Sequence, residues 1–211
     1  SVYSELEQTP YDLLSVGYSE YSTGNHDDRV TNFTEGLRRV SETLIDKGQE
    51  IYFNKPLGKF DDGFVKGLGI IGPTAVPVIG GGICQASTTF YRALLNLGVP
   101  ITMRKNHSWD LSYYREGGYG LDATIFPDQG LDVKGMNDFA SQLYIHAYTK
   151  PETEEAFVLI FGKGDGRKVT LRPSNPDLKF FRGPKTIRWT QIIELPGGEV
   201  KENDIVSVYT K

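Results

Sequence analysis

The run Gly80-Gly81-Gly82-Ile83-Cys84-Gln85-Ala86-Ser87-Thr88-Thr89 constrains this chain more than any other stretch. Three consecutive glycines permit backbone dihedrals and close approaches that a side chain would forbid. Beyond them Ala86, Phe90, Leu94 and Leu97 recur at helical spacing, which predicts a helix from about Cys84 to Leu97, ended by Gly98 and Pro100. The single cysteine of the 211-residue chain therefore opens a helix. Unpaired N–H groups and the positive end of the peptide dipole collect there, and both favour thiolate over thiol. A nucleophile would be built this way. The competing use of a free cysteine is as a small buried hydrophobe.

Around this helix the chain reads as one α+β domain, an antiparallel sheet with two main helices packed on it. The other helix is predicted from Thr31 or Asn32 through Phe33, Leu37, Val40, Leu44 and Ile45, and is stopped by Gly48. Residues 1–28 lack a helical period and read as loop or extended chain. Glu50–Phe60 suits a short strand and turn, and residues 61–83 are apolar chain punctuated by Gly and Pro. β-rich composition between turn signals predicts strands at Ile101–Arg104, Trp109–Tyr114, Leu121–Phe126, Leu143–Tyr148, Phe157–Phe161 and Lys168–Arg172. Asp165-Gly166 reads as a hairpin turn between the last two. The tail offers Thr186–Leu195, a Pro196-Gly197-Gly198 turn and Ile205–Tyr209. Domain organisation is accordingly 1–172 as the main unit and 173–211 as a β-rich extension within the same domain.

One cysteine excludes an intramolecular disulfide framework and a cysteine-based zinc site. His26, His107 and His146 are too few for a histidine-rich metal centre, so neither metal nor cofactor is expected. A formal net charge of −4 gives no electrostatic reason to expect nucleic acid or an anionic membrane as partner. No apolar run approaches the roughly 20 residues of a membrane span, and no signal-peptide pattern is read.

A cysteine nucleophile needs an imidazole partner, and that imidazole needs a group to orient it. His107 follows Cys84 between two predicted strands, and Asp122 opens Leu121-Asp122-Ala123-Thr124-Ile125. Neighbouring strands would let the Asp122 carboxylate accept from one ring nitrogen while the other faces the thiol. Cysteine, histidine and an orienting residue in that order is the arrangement of papain-like thiol enzymes. Backbone-satisfied His107 and turn-capping Asp122 are the structural alternatives, and Asn106 and Asp110 compete for the orienting role. Asp110 lies an odd number of positions from His107, on the opposite face of a strand. Ser108 offers a neighbouring hydroxyl.

The glycine–cysteine run continuing through Phe90-Tyr91, then Asn106-His107-Ser108, Ser112-Tyr113-Tyr114 and Asp122-Ala123-Thr124, resembles the core motif of VanW-type domains. The resemblance covers about residues 18–172, with Tyr21-Ser22-Thr23, Arg29, Asn32 and Asp177–Phe180 as looser echoes. It departs from the pattern at Leu121, where many members carry arginine, and by inserting Glu116–Gly120. Membership implies an exported protein of the bacterial cell envelope with L,D-transpeptidase activity, forming 3-3 cross-links in peptidoglycan. Cys84 would then be the acyl-accepting nucleophile, His107 its acid/base partner and Asp122 the orienting group. The N–H groups around Cys84 and Gln85 would serve the oxyanion, and Gly82 and Tyr113 would line the substrate site. Arg104, Lys105 and Arg115 are positioned in sequence to meet carboxylates of a stem peptide. The glycines would keep the cleft wall low. A non-catalytic peptidoglycan-binding module, an L,D-carboxypeptidase and an amidase are the alternative functions.

Overall fold

The computed structural model describes residues 11–21, 27–60, 62–71, 74–174 and 183–211. Ser22, Thr23, His26 and Asp177–Phe180, singled out in the sequence, lie outside the described residues. The elements run β1 (Asp12–Glu20), α1 (Asp27–Val40), β2 (Thr43–Ile45), β3 (Glu50–Tyr52), α2 (Asn54–Leu57), β4 (Lys66–Ile71), β5 (Thr74–Ile79) and α3 (Cys84–Leu97). They continue with β6 (Ile101–Met103), β7 (Lys134–Met136), β8 (Leu143–Lys150), β9 (Glu155–Gly162), β10 (Lys168–Pro173), β11 (Lys185–Glu194) and β12 (Val200–Tyr209). The class is α+β with antiparallel pairing, as expected.

The strands do not form one sheet. Among the described residues they divide into an antiparallel sheet ordered β1-β9-β8-β2, three-stranded sheets β10-β11-β12 and β3-β7-β6, and the β4-β5 hairpin. Asp165-Gly166 consequently joins two different sheets instead of closing a hairpin, since β9 pairs with β1 and β8 whereas β10 pairs with β11. The Pro196-Gly197-Gly198 turn does close one, between β11 and β12.

Helix α3 is the centre of the molecule. Twelve of its fourteen residues are buried, including Phe90, Leu94 and Leu97. Its end follows the expected chemistry: Gly98 adopts the left-handed conformation (φ 75°), and its N–H donates to the carbonyls of Leu94 and Leu95. Strand β1 lies directly against this helix and turns Ser15, Gly17 and Ser19 inward, alternating with more exposed neighbours. A Cβ on Gly17 would sit 2.1 Å from the Thr89 carbonyl oxygen, so only glycine lets strand and helix meet at this depth. The nine residues of β1 fall in the stretch read as extended chain or loop, whose small, polar inward face gives no clear strand signal.

Helix α1 packs through Phe33, Leu37 and Val40. It begins earlier than expected, at Asp27, and stops at Val40 well before Gly48. Glu42 takes a left-handed φ of 60° and turns the chain out of the helix. Leu44 and Ile45, which continue the helical spacing by coincidence, instead pair with Tyr144 and Leu143. The apolar stretch 61–83 forms the β4-β5 hairpin, and Glu50–Phe60 divides into β3 and the single turn α2. Two expected strands are absent. Ser112–Tyr114 is a 3₁₀ turn, and Leu121–Phe126 has no regular structure beyond an isolated bridge between Phe126 and Leu131.

That segment is held by the helix and by the Lys105 carbonyl, which accepts the Thr124 N–H at 2.8 Å. Ser87 Oγ and Thr88 Oγ1 both donate to the Ala123 carbonyl, at 2.8 and 3.2 Å, and the Ala123 N–H returns a bond to Thr88 Oγ1. A buried backbone without a strand partner must find other partners, and these hydroxyls supply them. The polar run after Cys84 is explained by this clamp.

Candidate active site

Cys84 is the first residue of α3, delivered by the turn Gly80–Ile83. The three glycines make close contacts possible on three sides. A Cβ at Gly81 would lie 2.0 Å from the Gly67 carbonyl oxygen in β4, one at Gly80 would reach the Phe60 ring at 3.0 Å, and one at Gly82 would come within 2.9 Å of the Arg29 backbone. The run therefore lets the hairpin and the start of α1 press against the cysteine turn. This is a packing role that the sequence did not indicate, and all three glycines also border the cavity.

That cavity, about 540 Å³, is lined by Cys84, His107, Tyr113, Thr124, Arg29 and the apolar face of the β4-β5 hairpin around Leu68 and Ile79, among others. Cys84 is partly exposed and His107 is buried. Neither His107 nor Asp122 sits in a strand, yet the two meet as the sequence suggests. One carboxylate oxygen of Asp122 accepts both the His107 backbone N–H (2.7 Å) and a bond with ring Nδ1 (2.6 Å). With Nδ1 committed, the remaining ring nitrogen is the one available to Cys84. Asn106 and Asp110 do not take this role: Asn106 Nδ2 donates to the carbonyls of His107 and Val208, and Asp110 pairs with Arg115 and Lys185. The Tyr114 ring stacks on the imidazole at 4.7 Å and 21°, fixing its plane.

Electrostatics couple the three groups. Burial pushes the Cys84 thiol up, but hydrogen bonding to His107 and the imidazolium charge outweigh it, aided by the Thr124 hydroxyl and the Ile125 N–H, so its pKa is lowered. Thr124 Oγ1 lies 3.5 Å from the sulfur. Burial depresses the basicity of His107, while Asp122 and Cys84 raise it more, to about 9. Asp122, opposed by its own burial, is held down to about 2 by His107 first, then by Arg104 and Tyr209. The directions describe a thiolate–imidazolium pair backed by a carboxylate.

This pairing carries a pH signature. The raised pKa of His107 adds stability that is complete below about 6.5 and lost as pH climbs through about 9. The lowered pKa of Cys84 adds stability that is complete above its ordinary value near 9 and lost as pH falls. Between 6.5 and 9 the two slopes oppose, since the folded chain holds an extra proton on the imidazole and lacks one on the sulfur. The contribution of the pair to the melting temperature is expected to be level across that window. Cys84→Ala removes one arm, and its melting temperature should decline with rising pH relative to wild type. Parallel melting curves for the two proteins from pH 6.5 to 9 would contradict the ion pair.

Not every expected residue reaches the cavity. Gln85 is buried with its amide donating to the Glu20 carbonyl, and its backbone N–H is taken by the Gly82 carbonyl at 3.1 Å. Ser108 is exposed outside the cavity, where its carbonyl accepts the Thr210 N–H. Arg104 points behind the site, donating to the carbonyls of Asp122 (2.8 Å) and Gly120 (3.0 Å) and to Ser207 Oγ (2.8 Å). Lys105 is exposed and does not line the cavity. Tyr113 and Gly82 do line it. His146 lies outside it, bonded to Glu42 at 2.9 Å. Among the described residues no cluster of three or more His, Cys, Asp or Glu is arranged to hold a metal ion.

Two residues matter that the motif did not indicate. Tyr209, buried in β12, donates its hydroxyl to the second carboxylate oxygen of Asp122. Ile205, Ser207 and Tyr209 alternate as the buried face of β12, but in the sequence the apolar Val206 and Val208 between them hide that alternation. Arg92, 3% exposed, donates to the carbonyls of Leu121 (3.0 Å), Tyr18 (2.9 Å), Glu116 (2.6 Å), Gly118 (3.3 Å) and Tyr114. Burial lowers its pKa to about 10, so it remains charged at neutral pH. The inserted Glu116–Gly120 loop is thereby folded back onto the helix.

The family described as "VanW like protein" matches residues 28–158, well over half the chain and all three of Cys84, His107 and Asp122. The chain belongs to the VanW family. Among curated proteins, the uncharacterized protein YoaR of Bacillus subtilis (strain 168) is 24% identical to this VanW-family chain over 132 residues, covering 62% of the chain and 42% of that protein. The chain thus spans less than half the length of the relative it matches. No solved structure matches it. Tyr209 falls outside the family-matched segment, and no helix among the described residues is long and apolar enough to cross a membrane.

Proposed function

We propose that this VanW-family domain is a cysteine-dependent L,D-transpeptidase acting on peptidoglycan stem peptides in the bacterial cell envelope, outside the cytoplasmic membrane. The observation that carries the proposal is the Asp122–His107 pair, 2.6 Å apart, set behind a pKa-lowered thiol in an open cavity. A binding module has no use for a depressed thiol pKa, and perturbed groups in a cavity favour catalysis. Residues 173–211 belong to the same catalytic domain in this reading, since Tyr209 supports Asp122.

The Cys84 thiolate attacks the carbonyl that joins an L-centre to a terminal D-residue, forming a C–S bond. The N–H of Cys84 is the candidate donor to the resulting oxyanion. The C–N bond then breaks, the departing amine takes the proton held by His107, and a thioester remains on Cys84. The amine of a second stem attacks this thioester and gives a proton to His107. The C–S bond breaks, which regenerates the thiolate–imidazolium pair. Asp122 holds the ring throughout.

Incubation with disaccharide-tetrapeptide muropeptides, followed by mass spectrometry, tests this. Wild type should yield a cross-linked dimer lacking one D-alanine, and Cys84→Ala should yield none. Loss of alanine without dimer would assign a carboxypeptidase with water as acceptor. Identical spectra for the two proteins would overturn a thiol reaction on these stems.

A further inference from the structure

Two residues after the carboxylate that holds His107, the same stretch of chain returns to the reacting sulfur. Thr124 Oγ1 lies 3.5 Å from Cys84 Sγ, and the Ile125 N–H hydrogen-bonds the same atom. Cys84, Thr124 and Ile125 all line the cavity, and Thr124 is only partly buried. Against a thiolate the hydroxyl must be the donor, because the sulfur has no proton to give. The backbone that carries this hydroxyl is fixed by two parts of the chain. The Ala123 carbonyl and N–H are bonded to the hydroxyls of Ser87 and Thr88, on the helix that Cys84 opens. The Thr124 N–H donates to the Lys105 carbonyl at 2.8 Å. The helix that presents the thiol therefore also sets the position of the hydroxyl beside it. Of the N–H groups expected to serve an oxyanion, that of Gln85 is occupied by the Gly82 carbonyl.

We propose that Thr124 is a catalytic residue, its hydroxyl donating to the Cys84 sulfur at rest and to the oxyanion once a substrate carbonyl is attacked. This rests on the nucleophilic reading of Cys84, and for stem peptides on the transpeptidase reading. As the C–S bond forms, the negative charge leaves the sulfur and settles on the carbonyl oxygen, which is bonded to the same carbon. A hydroxyl hydrogen turns about its C–O bond, so the donor follows the charge while Thr124 Oγ1 stays in place. Sulfur is the weaker acceptor of the two, so the hydrogen bond strengthens on transfer and favours the transition state. A donor fixed beforehand needs no reorganisation at that moment. When the oxyanion collapses and expels the thiolate in the second half-reaction, the charge returns to sulfur and the hydrogen bond returns with it.

The test sets an acylating probe against an alkylating one. p-Nitrophenyl acetate reacts with a thiolate through an oxyanion, and its leaving group departs as an anion that needs no proton from His107. Iodoacetamide reacts by displacement at carbon, with no oxyanion. The ratio of the two rates at one pH cancels the fraction of thiolate. Wild type should exceed a cysteine-containing peptide in this ratio. Thr124→Val keeps the side-chain shape without the hydroxyl and should lower the ratio by at least about tenfold. Thr124→Ala, which relieves any crowding, should repeat that effect, and Thr124→Ser should retain most of the wild-type ratio. A wild-type ratio no higher than the peptide's, or equal ratios in wild type and Thr124→Val, would overturn the proposal. So would a ratio in Thr124→Ser as low as in Thr124→Val. On a tetrapeptide stem, Thr124→Val should lower kcat by a similar factor and change KM little. A lowered ratio in Thr124→Val, with no stem turned over by wild type, would keep the oxyanion role and overturn the transpeptidase reading alone.

Discussion

At pH 6 Cys84 is expected to be alkylated by iodoacetamide faster than an ordinary cysteine, and His107→Ala to react more slowly by at least about tenfold. An ordinary cysteine is overwhelmingly protonated at that pH, whereas the imidazolium favours the thiolate here. The gain in thiolate is partly offset because a thiolate of low pKa is intrinsically less nucleophilic. The rate difference should therefore be smaller than the change in thiolate fraction, and it should close above pH 9, where both proteins carry the anion. His107→Ala leaves only Thr124 and the Ile125 N–H to oppose burial, so the variant thiol should need a higher pH to ionise than wild type. Wild-type alkylation that rises steeply through pH 8–9, with the same midpoint as His107→Ala, would refute the activated thiol.

Asp122→Ala is expected to lower folding stability by about 3–5 kcal/mol, the range for removing one member of a buried ion pair. The carboxylate is 1% exposed and serves the His107 ring, the His107 N–H and the Tyr209 hydroxyl, with Arg104 Nη2 3.8 Å away. Truncation strands each of these partners without water. Because its pKa is held near 2, the contribution of Asp122 is complete above about 4 and disappears as pH falls toward 2, so wild type and variant should converge in stability in strong acid. Denaturant melts at pH 7 and pH 2.5 measure both effects. Asp122→Asn keeps a side chain of the same shape, should cost less stability, and should still slow Cys84 alkylation at pH 6. A stability loss below about 1 kcal/mol for Asp122→Ala at pH 7 would show that the network contributes little.

Helix α3 was legible because three independent local signals agreed: the glycine turn before it, apolar spacing within it and Gly98 after it. Cys84, His107 and Asp122 were legible as a motif, and the geometry joins them although the two strands invoked to do so do not exist. Leu121–Phe126 has β-forming residues, but its backbone is held by helix hydroxyls and a single bond to the Lys105 carbonyl, which no strand propensity anticipates. Arg104 shows the opposite error. A sequence displays a charge but not its acceptors, and here the acceptors are backbone carbonyls and Ser207, 103 residues away. Tyr209 and Asp122, 87 residues apart, likewise form a contact with no local trace.

The buried Arg92 has a further consequence. Its guanidinium grips the Tyr114–Leu121 segment solely through main-chain oxygens, and every amino acid brings one of those. The anchor reads no side chain, so it asks only that the backbone keep its path, and Gly117, Gly118 and Gly120, all at positive φ, are what permit that path. Tolerated change is therefore expected at exposed Glu116, and not at those glycines or at Tyr114, whose ring holds the imidazole plane.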